Sequence, residues 1–157
     1  MKKISRTASG VSGEYFVAAE LSRRGYTCTM TLKNTEHIDI LVANTKTKKL
    51  LCVQVKTNNG KKLKWLLNKK SEEISDPNFI YIFVNLGKEI NSYPNYYIVE
   101  SKVVSEQLKK EYSSWLAKPG KKGQPHRDTT MREFADTKAS YKDNWGLIAK
   151  IIDEIDG

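Results

Sequence analysis

The sequence predicts an α/β protein in which helices pack against a mixed β-sheet. An amphipathic segment that is typical of a helix opens the chain at residues 12–24. Runs of β-branched and apolar residues follow, and the run at 79–86 is almost wholly apolar, which is typical of a strand buried on both faces. Two further helical patterns close the chain. Helices before and after a group of strands indicate a layered arrangement around one sheet.

The first helix is expected over residues 12–24. Ser12 can serve as its N-cap, Glu14 would then lie in the first turn, and Gly25 suits the position after the last turn. An apolar face is predicted for Tyr15, Ala18, Ala19 and Leu21. In this position Glu14 is either an acid that interacts favourably with the helix dipole or a functional acid. A short strand over 26–30 follows.

A β-hairpin is predicted from apolar strands at 38–43 and 50–57, which a polar turn connects. A symmetrical turn places these residues opposite each other: Asp39 and Gln54, Leu41 and Cys52, His37 and Lys56. Because side chains alternate along a strand, Gln54 and Lys56 share a face with Asp39. The opposite face is wholly apolar, with Ile38, Ile40, Val42, Leu51, Val53 and Val55.

The remaining elements complete the predicted fold. We expect a crossover at 64–75, strands at 79–86 and 96–100, a helix at 101–117 capped by Ser101, and a helix at 141–155. A basic loop rich in Gly and Pro occupies 118–125. A single domain is expected over 1–157, with its core at about 10–100 and a helical extension over 101–157.

Composition and charge limit the classes of protein to consider. The chain has 157 residues, and 27 Lys and Arg against 18 Asp and Glu give a formal net charge of +9, which favours a polyanionic partner such as nucleic acid. Cys28 and Cys52 have no CxxC spacing and are too few for a disulfide framework. No apolar run approaches the ~20 residues of a membrane span, and no apolar stretch of a secretory signal follows the basic start. A cytoplasmic protein with no membrane partner is expected.

The polar face of the hairpin carries residue types that suit metal-assisted hydrolysis of a phosphodiester. Mg²⁺, for which Mn²⁺ can substitute, prefers oxygen ligands, and these are available from the Asp39 carboxylate, the Gln54 side chain and the Val55 backbone carbonyl. Lys56 can orient an attacking water or stabilise charge that grows on the phosphate, and Glu14 can add a second acid. The alternative is that Gln54 and Lys56 form the solvated face of an ordinary hairpin.

These residues resemble the motif of the PD-(D/E)XK nuclease superfamily. Ile38-Asp39 resembles the motif acid, Gln54-Val55-Lys56 the (D/E)-X-K tripeptide, and Gly13-Glu14 the glutamate of the helix before the sheet. Gln at the start of the tripeptide is similar to the QxK variant of Mrr-like enzymes, and the helix opening resembles that of Holliday-junction resolvases. The resemblance implies a restriction endonuclease-like αβββαβ core and covers the first half of the chain. Two positions depart from the pattern, because Ile38 replaces a proline and Gln54 replaces an acid.

The resemblance implies a Mg²⁺-dependent endonuclease that acts on nucleic acid, with DNA favoured over RNA. It assigns catalytic roles to Glu14, Asp39, Gln54 and Lys56, and metal contacts to Glu14, Asp39, Gln54 and Val55. Phosphate contacts are expected from six lysines, which are Lys33, Lys61, Lys62, Lys64, Lys121 and Lys122. Because small nucleases of this kind often dimerise, a homodimer is one possible state. The alternative is a degraded nuclease fold that binds nucleic acid or a protein partner, as an immunity protein or antitoxin does.

Overall fold

The computed structural model describes residues 4–32 and 37–154. Its helices are α1 (Arg6–Arg23), α2 (Ser101–Leu116) and α3 (Gly146–Ile152), and a 3₁₀ helix covers Lys69–Glu72. Its strands are β1 (Thr27–Met30), β2 (Ile40–Ala43), β3 (Leu50–Asn58), β4 (Lys64–Asn68), β5 (Phe79–Asn85), β6 (Asn95–Glu100) and β7 (Met131–Ala135). No helix within the described ranges is long and apolar enough to cross a membrane.

Five strands form one mixed sheet in the order β1-β2-β3-β5-β6. Strands β3 and β5 run parallel, and the other neighbouring pairs are antiparallel. Helices α1 and α3 pack on one face, while α2 and a small sheet of β4 and β7 cover the other. This arrangement confirms the predicted fold class. The hairpin register is also confirmed within the strands, since Leu41 pairs with Cys52.

The hairpin contains a β-bulge at Asp39, which the predicted register does not include. Ile40 is the pairing partner of Val53, yet the Asp39 amide also donates a hydrogen bond to the Val53 carbonyl, at 2.9 Å. Two residues of one strand thus lie opposite one residue of the other, which bends the strand and turns the preceding side chain to the other face. Ile38 accordingly packs with the cluster around Tyr81, whereas Ile40 packs with α1. The prediction that Ile38 shares the face of Ile40 is wrong.

Helix α1 begins at Arg6 rather than at Ser12. Its N-cap is Ser5, whose side chain accepts a hydrogen bond from the Ala8 amide at 3.1 Å. The buried residues of the helix are Ser9, Gly13, Val17 and Leu21. Tyr15, which was expected on the buried face, is 63% exposed. Hydrophobic periodicity selected the wrong face because a serine and a glycine occupy two of the buried positions.

The connection between β3 and β5 differs from the predicted crossover. It contains β4 and the 3₁₀ helix, and β4 pairs with β7, a strand that the sequence pattern did not reveal. This pairing brings Trp65 and Phe134 against Phe83, and the rings of Phe83 and Phe134 stack at 4.4 Å. The extension after residue 100 therefore contributes a strand to the aromatic core in addition to its helices.

The caps and limits of the last two helices also differ from the prediction. Ser101 does not cap α2, because its hydroxyl donates to the Asp76 carbonyl at 2.8 Å and accepts from the Asp76 amide at 2.9 Å. Helix α3 begins after Trp145, since Tyr141 and Trp145 pack against opposite faces of the sheet and do not share one helix face. The predicted end of this helix, residue 155, lies outside the described residues.

Candidate active site

Polar side chains of the predicted site meet where the start of β2 lies beside β3. At the bulge, one oxygen of the Asp39 carboxylate accepts a hydrogen bond from the Val55 amide, at 2.7 Å. In a regular antiparallel ladder, such an amide donates to a backbone carbonyl of the neighbouring strand. Here the Asp39 carboxylate is the acceptor instead. The bulge therefore aims Asp39 at the Gln54-Val55-Lys56 tripeptide.

The Asp39 carboxyl group is partly withdrawn from solvent, and this burial raises its pKa above the ordinary value. The hydrogen bond from the Val55 amide and the positive charges of Lys56 and His37 oppose that shift. Lys56 thus lies near enough to interact with the Asp39 charge. A poorly hydrated carboxylate favours a nearby cation, so the site is electrostatically suited to a metal ion.

Gln54 is 6% exposed, so it does not belong to a solvated hairpin face. Its Oε1 atom is buried and accepts no hydrogen bond from any residue in the described ranges. A buried amide oxygen without a donor is unfavourable by about 1–3 kcal/mol, and a bound cation would remove that penalty. The oxygens of Asp39, Gln54, the Val55 carbonyl and Glu14 form the donor set that Mg²⁺ prefers, so the residues present fit this ion.

The site has fewer acids than the family pattern provides. Within residues 4–32 and 37–154, no three His, Cys, Asp or Glu side chains form a group that could hold a metal ion. A cation at this place would therefore depend on an amide and a backbone carbonyl oxygen as well as on carboxylates. Gln54 in place of an acid accounts for this difference.

Glu14 lies on α1 and lines a groove together with Asp39. It lies in the middle of the helix, not in the first turn, so the helix-dipole interpretation does not apply. Gly13 lets α1 approach β3 closely, because a Cβ atom at this position would lie 1.9 Å from Thr57 Oγ1. Glu14 and Asp39 then line a groove of about 390 Å³. Its other lining residues are Thr7, Gly10, Val11, Thr31, Leu32 and Ile38.

Two of the six predicted phosphate-binding lysines lie on a loop that is hydrogen-bonded to the helix that lines the groove, although neither lysine lines the groove itself. Lys61 and Lys62 are exposed on the loop between β3 and β4. A hydrogen bond of 3.3 Å from Asn59 Nδ2 to Ser9 Oγ joins this loop to α1, which lines the groove. Lys33 lies outside the described residues.

The other three lysines have no contact with the groove in the described part of the chain. The Lys64 ammonium forms an ion pair with Glu133 at 2.6 Å on the outer face of the β4–β7 sheet. Lys121 and Lys122 are exposed on the loop after α2, and none of the residues that line the groove belongs to 118–125. Their role in phosphate binding stays a prediction.

Two residues that the motif did not single out also belong to this region. The buried Thr57 hydroxyl has no hydrogen-bond partner among the described residues, and Asn58 donates to two carbonyl groups of the following loop. The signal in the sequence is a polar pair directly after Lys56, at the end of an otherwise apolar strand. His37, which the predicted register places opposite Lys56, is half-buried, and its φ of 62° lies in the left-handed region.

Element order and sheet topology define a restriction endonuclease-like fold. No protein-family model matches the sequence, and no curated protein matches it. Among solved structures, the bacterial homing endonuclease I-Ssp6803I is similar with a TM-score of 0.55 at 14% identity, over 94% of each chain. The Holliday junction resolvase Hjc of Archaeoglobus fulgidus is similar with a TM-score of 0.51 at 12% identity, over 94% of this chain and 98% of Hjc. The resemblance to PD-(D/E)XK nucleases is thus confirmed at the level of the fold.

Proposed function

We propose that this protein is a divalent-metal-dependent nuclease that hydrolyses phosphodiester bonds in DNA. The observation that carries the proposal is the hairpin site, where Asp39 accepts a hydrogen bond from the Val55 amide and the adjacent residue in sequence, Gln54, has a buried side-chain oxygen with no partner among the described residues. The fold supports it, since the similar solved structures are a homing endonuclease and a Holliday junction resolvase.

Each residue of the site has a distinct proposed role. Asp39, Gln54, the Val55 carbonyl and Glu14 would hold Mg²⁺ or, in its place, Mn²⁺. The bound ion supplies Lewis acidity, which polarises a phosphoryl oxygen and lowers the pKa of coordinated water. Lys56 carries its positive charge near Asp39, where it would stabilise negative charge that develops on the phosphate or orient the attacking water.

The proposed substrate follows from charge and fold. A net charge of +9 attracts a polyanion, and Lys61 and Lys62 lie on a loop joined to the helix that lines the groove. Lys33, Lys121 and Lys122 are further proposed contacts, and Lys64 is the weakest because it already pairs with Glu133. The preference for DNA over RNA, the homodimer, the single domain and the cytoplasmic location stay predictions. Parallel assays on RNA and sedimentation analysis test the first two.

Cleavage assays test the proposal directly. Duplex and branched DNA are incubated with the protein and Mg²⁺ or Mn²⁺, with EDTA as the metal-free control. Cleavage is expected in wild type and should be lost in Asp39→Ala and Lys56→Ala. Lys46→Ala, which removes an exposed lysine at the other end of β3, should cut like wild type. Equal cleavage by wild type, Asp39→Ala and Lys56→Ala would show that the catalytic assignment is wrong.

One observation favours a second candidate function. Gln54 replaces an acid, and the described residues contain no group of three His, Cys, Asp or Glu side chains that could hold a metal ion. The chain would then be a degraded nuclease fold that binds nucleic acid or a protein partner, as an immunity protein or antitoxin does. Calorimetry with Mg²⁺ separates the two candidates, because absence of metal binding at millimolar concentration together with intact DNA binding supports the second.

A further inference from the structure

The loop between β3 and β4, residues 59–63, is held by asparagine side chains from the strand ends. We refer to it as the lysine loop, because it carries the exposed Lys61 and Lys62. Asn85 Nδ2 donates to the Gly60 carbonyl at 3.0 Å. Asn58 Nδ2 donates to the Lys62 carbonyl at 3.1 Å and, just beyond the loop, to that of Lys64 at 2.8 Å. Backbone carbonyls along the loop are thus bonded to fixed strand positions.

The two asparagines form one structural unit. Asn58 and Asn85 are register partners at the last position of the parallel strands β3 and β5. Asn85 is only 5% exposed, and its Oδ1 accepts from the Gly87 amide at 2.8 Å while its Nδ2 binds Gly60. Burial of an amide is unfavourable unless its polar atoms are bonded. Here those bonds go to the backbone of connecting segments, so Asn85 holds the loop in place.

The lysine loop also lies at the place where ligands are expected in such a sheet. In open α/β sheets, ligands bind beyond the carboxyl ends of parallel strands, which here are the ends of β3 and β5. The bond from Asn59 to Ser9 joins the loop to α1, and α1 carries Glu14 into the groove. In the described part of the chain, neither Lys61 nor Lys62 forms an ion pair, so both ammonium groups face solvent uncompensated.

We propose that Asn58 and Asn85 form an amide clamp that keeps the lysine loop in one conformation, in which Lys61 and Lys62 bind phosphate groups of nucleic acid beside the groove. The inference rests on the proposed nuclease function and assigns the two asparagines as positioning residues. A loop that is ordered before binding loses less conformational entropy when it contacts its ligand. The clamp therefore raises affinity without adding a charge.

A second lysine-rich connection provides a matched control. The turn between β2 and β3 carries Lys46 and Lys48, and Asn44 holds it in a similar way. Asn44 Oδ1 accepts from the Lys46 amide at 2.9 Å and from the Thr47 amide at 3.3 Å. This turn lies at the opposite end of β3, away from Asp39. Substitution of Asn44 loosens this turn, and substitution of Lys46 removes a positive charge from it, while the proposed site stays unchanged.

The test is DNA binding by fluorescence anisotropy in EDTA, measured over a series of KCl concentrations. Lys61→Ala and Lys62→Ala should each reduce the slope of log K against log salt by about 0.9, because each removes one phosphate contact. Asn58→Ala and Asn85→Ala should weaken binding roughly three- to tenfold with the slope unchanged, since they remove order and not charge. Asn44→Ala and Lys46→Ala should bind like wild type.

Trypsin gives a second readout that does not depend on DNA. It cuts after lysine, so the clamp variants should be cut faster at Lys61 and Lys62 than wild type, with unchanged cutting at Lys46. If Asn85→Ala does not fold, the half-exposed Asn58→Ala carries both measurements. Wild-type affinity and wild-type trypsin resistance in folded clamp variants would overturn the inference.

The outcomes also separate this inference from the proposed function. If wild type binds and cuts DNA but the lysine variants keep its affinity and salt slope, the lysine loop is not a contact, and only the inference fails. If wild type binds no DNA at low salt, the proposed function fails, and the inference falls with it. Weaker binding in Asn44→Ala to the same degree as in Asn85→Ala would show a general effect of loop release and would also overturn the clamp.

Discussion

The two ends of β3 look alike in sequence but differ in structure. Each leads into a lysine-rich connection that an asparagine holds. At the first end, polar groups bind the end of α3: Thr47 Oγ1 donates to the Ile152 carbonyl at 2.6 Å, and Asn44 Nδ2 donates to the Asp153 carboxylate at 2.9 Å. At the second end, buried side-chain oxygens of Gln54, Thr57 and Asn58 accept or donate no hydrogen bond among the described residues.

This difference favours the second end as the place where a ligand would bind. Buried polar atoms in native proteins are nearly always bonded, so a cluster of unbonded ones points to a missing ion, water or substrate. The first end of β3 is satisfied from within the chain and serves to anchor α3. Towards the second end, half-buried Asp39 and Glu14 line one groove, and the buried side-chain oxygens of Gln54, Thr57 and Asn58 have no partner among the described residues. Lysine content alone does not distinguish the two ends.

The largest expected effect comes from Asp39→Asn. Activity should fall about 1,000-fold or more, because the metal-binding charge is lost. The fold should be kept, because the amide oxygen can still accept from the Val55 amide. Since burial raises the pKa of Asp39, its charged form is unfavourable, and removal of the charge should leave the metal-free melting temperature unchanged or higher.

Asp153→Asn is the matched control at the first end of β3. Its Oδ2 accepts a hydrogen bond from the Tyr26 hydroxyl and its Oδ1 accepts one from Asn44 Nδ2, both at 2.9 Å. In asparagine the amide oxygen can keep the bond from Asn44, and the amide NH₂ can donate to the Tyr26 hydroxyl oxygen. Cleavage should not change. Equal loss of activity in Asp153→Asn and Asp39→Asn would remove the distinction between the two ends.

Gly13→Ala should produce the next largest effect. The new methyl group would meet Thr57 Oγ1 and push α1 away from β3, at a cost in unfolding free energy of about 1–3 kcal/mol. Displacement of Glu14 should lower activity roughly 10- to 100-fold. Thr57→Ala should restore part of both losses in the double variant, because it removes the nearest atom but leaves a Cβ at 3.0 Å. Thermal melts and cleavage rates measure both effects.

Gly146→Ala is the control for a helical glycine, since a Cβ at that position has nothing within 4 Å. It should keep full activity. A Gly13→Ala variant that melts and cuts like Gly146→Ala would contradict the proposed role of the close approach between α1 and β3.

Gln54→Glu should have an effect of about one order of magnitude. A second carboxylate at the site should raise Mg²⁺ affinity about tenfold, because affinity depends on the charge of the ligands. Without metal, two neighbouring buried carboxylates repel, so the melting temperature should fall. Calorimetry and thermal melts with and without Mg²⁺ measure both. Metal binding in Gln54→Glu but not in wild type would support the degraded-site alternative.

The pH dependence of metal binding should be the smallest effect near neutrality. Because the pKa of Asp39 is raised, protons compete with Mg²⁺ for its carboxylate at a higher pH than they would for an ordinary aspartate. Below that pKa, the Mg²⁺ affinity should fall by up to about tenfold for each pH unit. The free energy of unfolding should change in the opposite sense. As pH falls, Asp39 takes up its proton in the folded state before it does so in the unfolded state. The contribution of Asp39 to the free energy of unfolding therefore increases as pH falls from the folded-state pKa to the unfolded-state pKa. Asp39→Asn should abolish both dependences.

Sequence reasoning succeeded where the structure depends on neighbouring residues. Alternation along β3 identified Gln54 and Lys56 as residues of one face, and the short polar turn set the register of Leu41 and Cys52. The motif thus predicted the members of the hairpin site. It did not predict the bulge at Asp39, since a bulge depends on how both strands leave the sheet.

Other errors have the same origin. The sequence misidentified the buried face of α1 because Ser9 and Gly13 are buried for their small size against β3, not for hydrophobicity. It missed β7 because a strand so short becomes stable only by pairing with β4, more than sixty residues earlier in the chain. It also treated the polar residues after Lys56 as the end of a strand.

The sequence by itself determined the fold class and the register of β2 against β3, because period-two alternation and turn length are local properties. Only the tertiary structure decided that the buried Gln54 oxygen has no donor among the described residues, that Glu14 and Asp39 line one groove, and that Asn58 and Asn85 hold the lysine loop. These features require elements distant in sequence to pack together. Burial and unmet hydrogen bonds exist only after that packing has excluded water.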